Sequence, residues 1–282
     1  MKHFHDKVAV ITGGASGIGR ALAECCAQNG MRIVLADVEE KALFQAEEDM
    51  KAGGARVLAV PTDVSKERHM ERLARKTLEA YGKVHLLFNN AGVVGAVTAI
   101  WKSSVPDWNW VLGVNLWGVI YGMRVFVPPM LEQDEACHIV NTSSMGALIY
   151  GPGGIYGVSK HAVVGLSETL YRELVQRNSK IRVSLFCPGF VNTRIMESDR
   201  NCPFKRTDDP AEKARSGEDR KREQSRSRVV EAGISPLEAA NRVFDGIRED
   251  RFYILTDPDV KTLIADRMET ILREGNPRIS YP

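Results

Sequence analysis

Short apolar runs alternate with amphipathic stretches along most of the chain. KVAVITGG is an apolar run ending in glycines, and residues 17–29 then follow a helical period closed by Asn29-Gly30. RIVLADV predicts a second strand, followed by an Ala- and Glu-rich helix that Gly53-Gly54 breaks. ARVLAVPTDV predicts a third strand, residues 66–81 a helix stopped at Tyr81-Gly82, and KVHLLFNNAG a fourth strand. A long helix is expected over 107–132, interrupted or ended near Pro128-Pro129. HIVNTSS predicts a fifth strand, residues 155–177 a long helix, IRVSLFCPG a sixth strand and RFYILTD a short seventh. Regular β-α alternation requires crossover helices, hence a parallel sheet with helices on both faces. The strands are continuously apolar rather than alternating, as strands covered on both faces are. The expected fold is α/β and doubly wound, with a central, mostly parallel seven-stranded sheet flanked by helices.

Residues 199–228 break this rhythm. DRNCPFKRTDDPAEKARSGEDRKREQSRSR is polar and charged of both signs. It reads as a solvated insertion or as a lid within the region 190–232. The chain shows no internal repeat and no second boundary, so residues 1–282 are expected to form a single domain.

The hydrophobic fraction of 44% and charged fraction of 26% are those of a soluble globular protein. A net charge of +2 gives no reason to expect nucleic acid or an anionic membrane as partner. No apolar run is expected to reach the ~20 residues that cross a bilayer, and the charged N-terminus does not resemble a signal peptide. A cytoplasmic location is the expectation. The five cysteines form no CxxC pair and the six histidines no HExxH, so no metal site is expected.

Candidate chemistry begins at TGGASGIG, Thr12–Gly19, between the first strand and its helix. Glycines permit a tight turn and let backbone N–H groups approach a pyrophosphate, while the helix N-terminus offers partial positive charge. Gly13, Ser16, Gly17, Ile18 and Gly19 are therefore candidate cofactor contacts of a Rossmann-type site. Asp37 ends the second strand 18 residues past Gly19. A carboxylate there can accept hydrogen bonds from the adenosine ribose hydroxyls and repels a 2′-phosphate. The next residue is Val38 rather than a cation, so NAD(H) is expected over NADP(H).

The TGxxxGxG spacing resembles that of the short-chain dehydrogenase/reductase superfamily. Asn89-Asn90-Ala91-Gly92 matches its NNAG, and Asp63-Val64 its adenine-contacting pair. The resemblance implies that Asn90, Ala91 and Gly92 pass beneath the adenosine half of the cofactor. Tyr156 and Lys160, in YGVSK, match its YxxxK, and helical spacing puts them on one face. The resemblance implies that Tyr156 exchanges a proton with a carbonyl or alcohol oxygen. Lys160 and the positive nicotinamide are expected to lower the Tyr156 pKa, and Lys160 to bind the nicotinamide ribose. A serine from HIVNTSS is implied to hold the substrate oxygen. Counting back thirteen residues from the tyrosine picks Ser143, and aligning on the strand picks Ser144. The shortened loop SMGALIYGPGGIY explains the conflict, and a deletion outside the strand favours Ser144. Asn115 matches the helix asparagine of the proton relay. Val191 and Thr193, in PGFVNT, match the residues that grip the nicotinamide carboxamide.

These motifs imply an NAD(H)-dependent oxidoreductase interconverting a secondary alcohol and a ketone. An NADPH-dependent ketone or acyl-type reductase and a non-catalytic NAD(H) sensor are the alternatives; the Ser, Tyr, Lys and Asn set argues against the sensor. Pocket residues are expected near Val93–Ala96, Leu148–Ile155 and Phe190–Phe204. Tyr150, Ile155, Met196 and Trp101 lean the substrate toward a bulky apolar or aromatic compound. The resemblance also implies a homodimer or homotetramer built on the helices at 107–132 and 155–177.

Overall fold

The computed structural model describes residues 1–151, 153–204 and 217–277. VAVIT forms strand β1 (Val8–Thr12), buried at every position. Helix α1 (Gly17–Gln28), β2 (Arg32–Asp37), α2 (Glu40–Ala52), β3 (Arg56–Pro61), α3 (Glu67–Tyr81) and β4 (Leu86–Asn89) follow. Gly82 ends α3 in the left-handed region, at φ 71°, where a glycine carries no Cβ penalty. The chain continues through α4 (Val105–Leu112), α5 (Gly118–Glu132), β5 (Cys137–Thr142), α6 (Gly154–Gln176) and β6 (Ile181–Cys187). It ends with α7 (Gly217–Glu231), α8 (Pro236–Arg248), β7 (Tyr253–Leu255) and α9 (Val260–Leu272).

All seven strands lie in one parallel sheet, ordered β3-β2-β1-β4-β5-β6-β7. Strand periodicity sends alternate side chains to opposite faces. Ala9, Ile11, Ile33 and Leu35 pack with Leu22 and Cys26 of α1 and Phe244 of α8. Val10, Val34 and Ala36 pack on the other face with Met70, Leu73, Phe126 and Leu174 of α3, α5 and α6. Two apolar layers thus clamp one sheet, which is why its strands read as unbroken apolar runs. From β1 the chain winds outward to β2 and β3, then returns to place β4 beside β1. That reversal opens a crevice at the carboxyl ends of the central strands.

Two sequence expectations need correction here. Pro128 and Pro129 neither interrupt nor end α5, which runs on to Glu132. Each removes one ladder bond, to the carbonyl of Arg124 or Val125, and the helix runs on through both on the bonds of its neighbours. The irregularity comes earlier, as a π-helical turn over Gly113–Trp117 between α4 and α5. There a Cβ on Gly118 would crowd Val64, and one on Gly113 would meet Ser65. The turn lets the helix pass close over the end of β3. The combined span Val105–Glu132 is also long and apolar enough by composition to cross a bilayer, contrary to the expected absence of such a run. Its Phe126 and Met130 are buried against the sheet.

The charged segment at 199–228 is described only at its ends. A 3-10 segment (Arg194–Asn201) precedes it and α7 closes it. Residues 205–216, the middle of the expected insertion or lid, lie outside the described residues.

Candidate active site

A cleft of about 1500 Å3 opens at the carboxyl ends of the strands. Its first wall is the glycine turn after β1. Gly13 and Gly17 hold φ of 66° and 54°, backbone that side chains rarely adopt. A Cβ on Gly19 would run into the Gly13 carbonyl, so the helix can start this close to the turn only with glycine there. A Cβ on Gly17 would meet the Thr193 methyl, so the loop after β6 comes up against this turn. Asp37 stands at the end of β2. Its Oδ2 accepts the Ala15 N–H at 3.0 Å and its Oδ1 the Glu39 N–H at 3.0 Å. Burial raises its pKa, and these N–H bonds oppose the rise. The carboxyl is thereby fixed at the mouth of the nucleotide half.

The NNAG turn is stapled to β1 by a residue the sequence reading did not single out. The Thr12 hydroxyl donates to the Phe88 carbonyl and accepts the N–H groups of Asn90, at 2.9 Å, and Ala91, at 3.1 Å. Asn90 Nδ2 donates back to the Thr12 carbonyl at 3.0 Å. At Asp63, Oδ1 accepts from both the backbone and the hydroxyl of Ser65, which closes the turn after β3.

The chemical half is built from β5 and α6. Ser143 and Ser144 point opposite ways, as strand geometry requires. Ser143 donates to the Lys160 carbonyl at 2.7 Å, on the buried side. Ser144 accepts the Gly146 N–H at 3.2 Å, and its hydroxyl acts to lower the pKa of the Tyr156 phenol. Lys160 is 3% exposed, with Nζ 5.7 Å from the centre of the Tyr156 ring and donating to the Thr142 carbonyl at 3.0 Å. Gly92 brings the NNAG turn to this pair, since a Cβ there would touch Lys160 Nζ and Asn115 Oδ1.

The expected lowering of the Tyr156 pKa is reversed in the protein alone. Burial raises the phenol, and the Ser144 hydrogen bond opposes it. Burial also lowers Lys160 to about 8. Its ammonium is itself desolvated and engaged by the Thr142 carbonyl, so in the protein alone it does not offset the burial of the phenol.

Of the expected site residues, Gly13, Ser16, Gly17, Ile18, Gly19, Asp37, Asp63, Val64, Asn90, Ala91, Gly92, Ser144, Tyr156, Lys160, Val191 and Thr193 all line this one cleft. Asn115 does not line it. Its amide accepts the Val93 N–H at 2.8 Å and donates to the Val93 carbonyl and Ser159 Oγ, fixing the wall behind Lys160. Of the expected pocket residues, Val93, Val94, Ile149, Tyr150, Phe190 and Met196 line the cleft. Ile155 instead joins the core with Trp110 and Val111, and Trp101 is 82% exposed.

The short chain dehydrogenase family model matches residues 7–202. The chain belongs to the short-chain dehydrogenase family. Some of its relatives align with nearly all of it. A CLA biosynthesis dehydrogenase/reductase of Lactiplantibacillus plantarum is 34% identical over 99% of this chain and 98% of its own. The 1-deoxy-11-beta-hydroxypentalenate dehydrogenase of Streptomyces avermitilis is 33% identical over 96% of this chain and 92% of its own. A short chain dehydrogenase/reductase from Burkholderia phymatum, solved in complex with NAD, is 46% identical, with a TM-score of 0.94 over 100% of both chains. This dehydrogenase is thus an oxidoreductase acting on CH–OH groups.

Several of its cleft residues carry no sequence signal. Glu39 accepts from Arg200 and Asn201, both at 2.9 Å, and Ser198 Oγ accepts the Val94 N–H at 3.0 Å. Behind the cleft wall, in the core with Val163 and Leu185, Cys187 lies beside Ser143 and Lys160, its thiol pushed by burial up to about 12. Each meets its partner across a long stretch of sequence, which no local pattern reports.

Proposed function

We propose that this short-chain dehydrogenase is a single-domain, NAD(H)-dependent enzyme interconverting a secondary alcohol and a ketone, with Tyr156 as general acid and base. The observation that carries this reading is that Ser144, Tyr156 and Lys160 line one cleft with the glycine turn and Asp37, the Lys160 ammonium lying 5.7 Å from the centre of the Tyr156 ring. The residues fit a dinucleotide: two positive-φ glycines, a helix N-terminus and a carboxylate at the end of β2. The NAD complex of the Burkholderia phymatum relative supports the same choice. When bound, the dinucleotide supplies or accepts the hydride, and its oxidised ring adds positive charge to the site.

Ser144 holds the substrate oxygen beside the phenol. Tyr156 gives its proton to that oxygen in reduction and takes one from the alcohol in oxidation. Lys160 supplies positive charge beneath the ring, and Asn115 braces the wall behind it. The Asn115 side chain is committed to Val93 and Ser159, which supports a positioning role rather than direct proton transfer. Val191 and Thr193 flank the glycine turn and suit the carboxamide end. Val93, Trp110, Ile149, Phe190 and Met196 line the substrate half, which supports a bulky apolar substrate body. A homodimer or homotetramer is supported by apolar side chains left outward on two helices. These are Trp117 and Leu131 around α5, and Val158, Tyr171 and Val175 on α6.

The test is a screen of secondary alcohols and their ketones with each dinucleotide, read by NADH absorbance. Turnover is expected with NAD(H), with NADH bound about tenfold or more tighter than NADPH, and Asp37→Ala should narrow that gap. Tighter NADPH binding by the wild type would contradict the role given to Asp37.

A further inference from the structure

Charge is divided across the cleft. The acidic side chains among its described lining, Asp37, Glu39 and Asp63, stand at and just beyond the ends of β2 and β3, on the nucleotide side. Around Ser144 and Tyr156 the described lining holds cations and no carboxylate. Most of those cations are engaged elsewhere: Arg194, for example, pairs with Glu197 at 2.7 Å. Arg267 differs. It comes from α9, which follows the edge strand β7 and packs against Met145 and Ile149, and it reaches the cleft wall. Its Nη1 donates to the Ala147 carbonyl at 2.9 Å, and its guanidinium lies 5.9 Å from the centre of the Tyr150 ring. Among the described residues no carboxylate pairs with it.

Both contacts fix the guanidinium where a substrate would lie. Ala147 closes the 3-10 turn Met145–Ala147, whose first cap is Ser144, so Arg267 is tied to the turn that presents the serine hydroxyl. An aromatic face beneath a guanidinium restricts its plane. A planar fork with donors left over, in a partly buried and otherwise apolar wall, matches a carboxylate. The glycine turn is flanked by Asn90, Ala91 and Thr193, so a pyrophosphate there does not require Arg267. We propose that the substrate carries a carboxylate, separated from its reacting carbon by an apolar segment, and that Arg267 binds it. This rests on the dehydrogenase reading and extends it to the substrate's chemical class.

Binding can be measured apart from turnover. The enzyme–NADH complex is titrated with straight-chain alkanoates, butanoate to dodecanoate, and with the corresponding amides, following NADH fluorescence. At the best chain length the alkanoate should bind about tenfold or more tightly than its amide. Arg267→Gln should abolish that difference and Arg267→Lys restore part of it, with NADH affinity unchanged in both. Equal binding of alkanoate and amide to the wild type would overturn the proposal. So would an Arg267→Gln variant that weakens both ligands alike, which would mark a packing role, or one that weakens NADH, which would mark a cofactor role. Failure of the dehydrogenase reading looks different: methyl ketones and keto esters would go unreduced by NADH while the alkanoate preference survived.

Discussion

Lys160 meets two opposing demands. Chemistry asks for a cation beneath Tyr156, and folding asks that no ammonium be buried there. The conflict shows in its pKa, held by burial at about 8 against an ordinary 10.5. Between those values the unfolded chain keeps the proton that the folded chain has released. Stability from this group therefore rises as pH climbs through that window and is lowest below about 8. The shift corresponds to about 3 kcal/mol at neutral pH, less whatever the Thr142 bond returns. Lys160→Met should then raise the melting temperature at pH 7 by several degrees. The gain should shrink toward pH 10, and turnover should fall at least ~100-fold. Thermal melts of the variant and parent at the two pH values check this. A variant less stable than the parent at pH 7 would show that the charge is not a folding cost.

The 3-10 segment after β6 works as a strap over the cleft. Its second half is held twice: Ser198 accepts from the Val94 backbone beyond β4, and Arg200 and Asn201 donate to Glu39 at the corner after β2. A dinucleotide bound beneath it is expected to leave only when the strap lifts. Glu39→Ala should speed NADH release several-fold with hydride transfer unchanged, as stopped-flow displacement would show. An unchanged release rate would mean that the strap does not gate the cofactor. Elements of this kind also mark where sequence reading stops. The strands were legible because each is an apolar run clamped between two helical layers, and α3 was legible because Gly82 caps it. The π-turn at Gly113–Trp117 was not, because its cause is the approach of Gly113 and Gly118 to Ser65 and Val64. The strap was not legible either, since Glu39 and Arg200 are 161 positions apart.

Across the whole molecule, one sheet brings together motifs spread from Thr12 to Thr193. Gly13 and Asp37 stood out because each sits at a strand end, whereas Tyr156 and Lys160 were picked out by their resemblance to YxxxK, with helical spacing only allowing them to share a face. Spacing was not enough to divide the work between Ser143 and Ser144, because the loop between β5 and α6 sets that register. The geometry puts Ser144 beside the phenol and Ser143 behind Lys160. Nor did spacing reach Arg267, one arginine on a helix with polar neighbours until α9 is docked beside Ala147. The account as a whole turns on the Tyr156 proton. The direct measurement is ketone reduction by Tyr156→Phe, alongside its affinity for NADH. Unchanged NADH binding with reduction lowered at least ~100-fold is the predicted result. Reduction at the parental rate would contradict the mechanism.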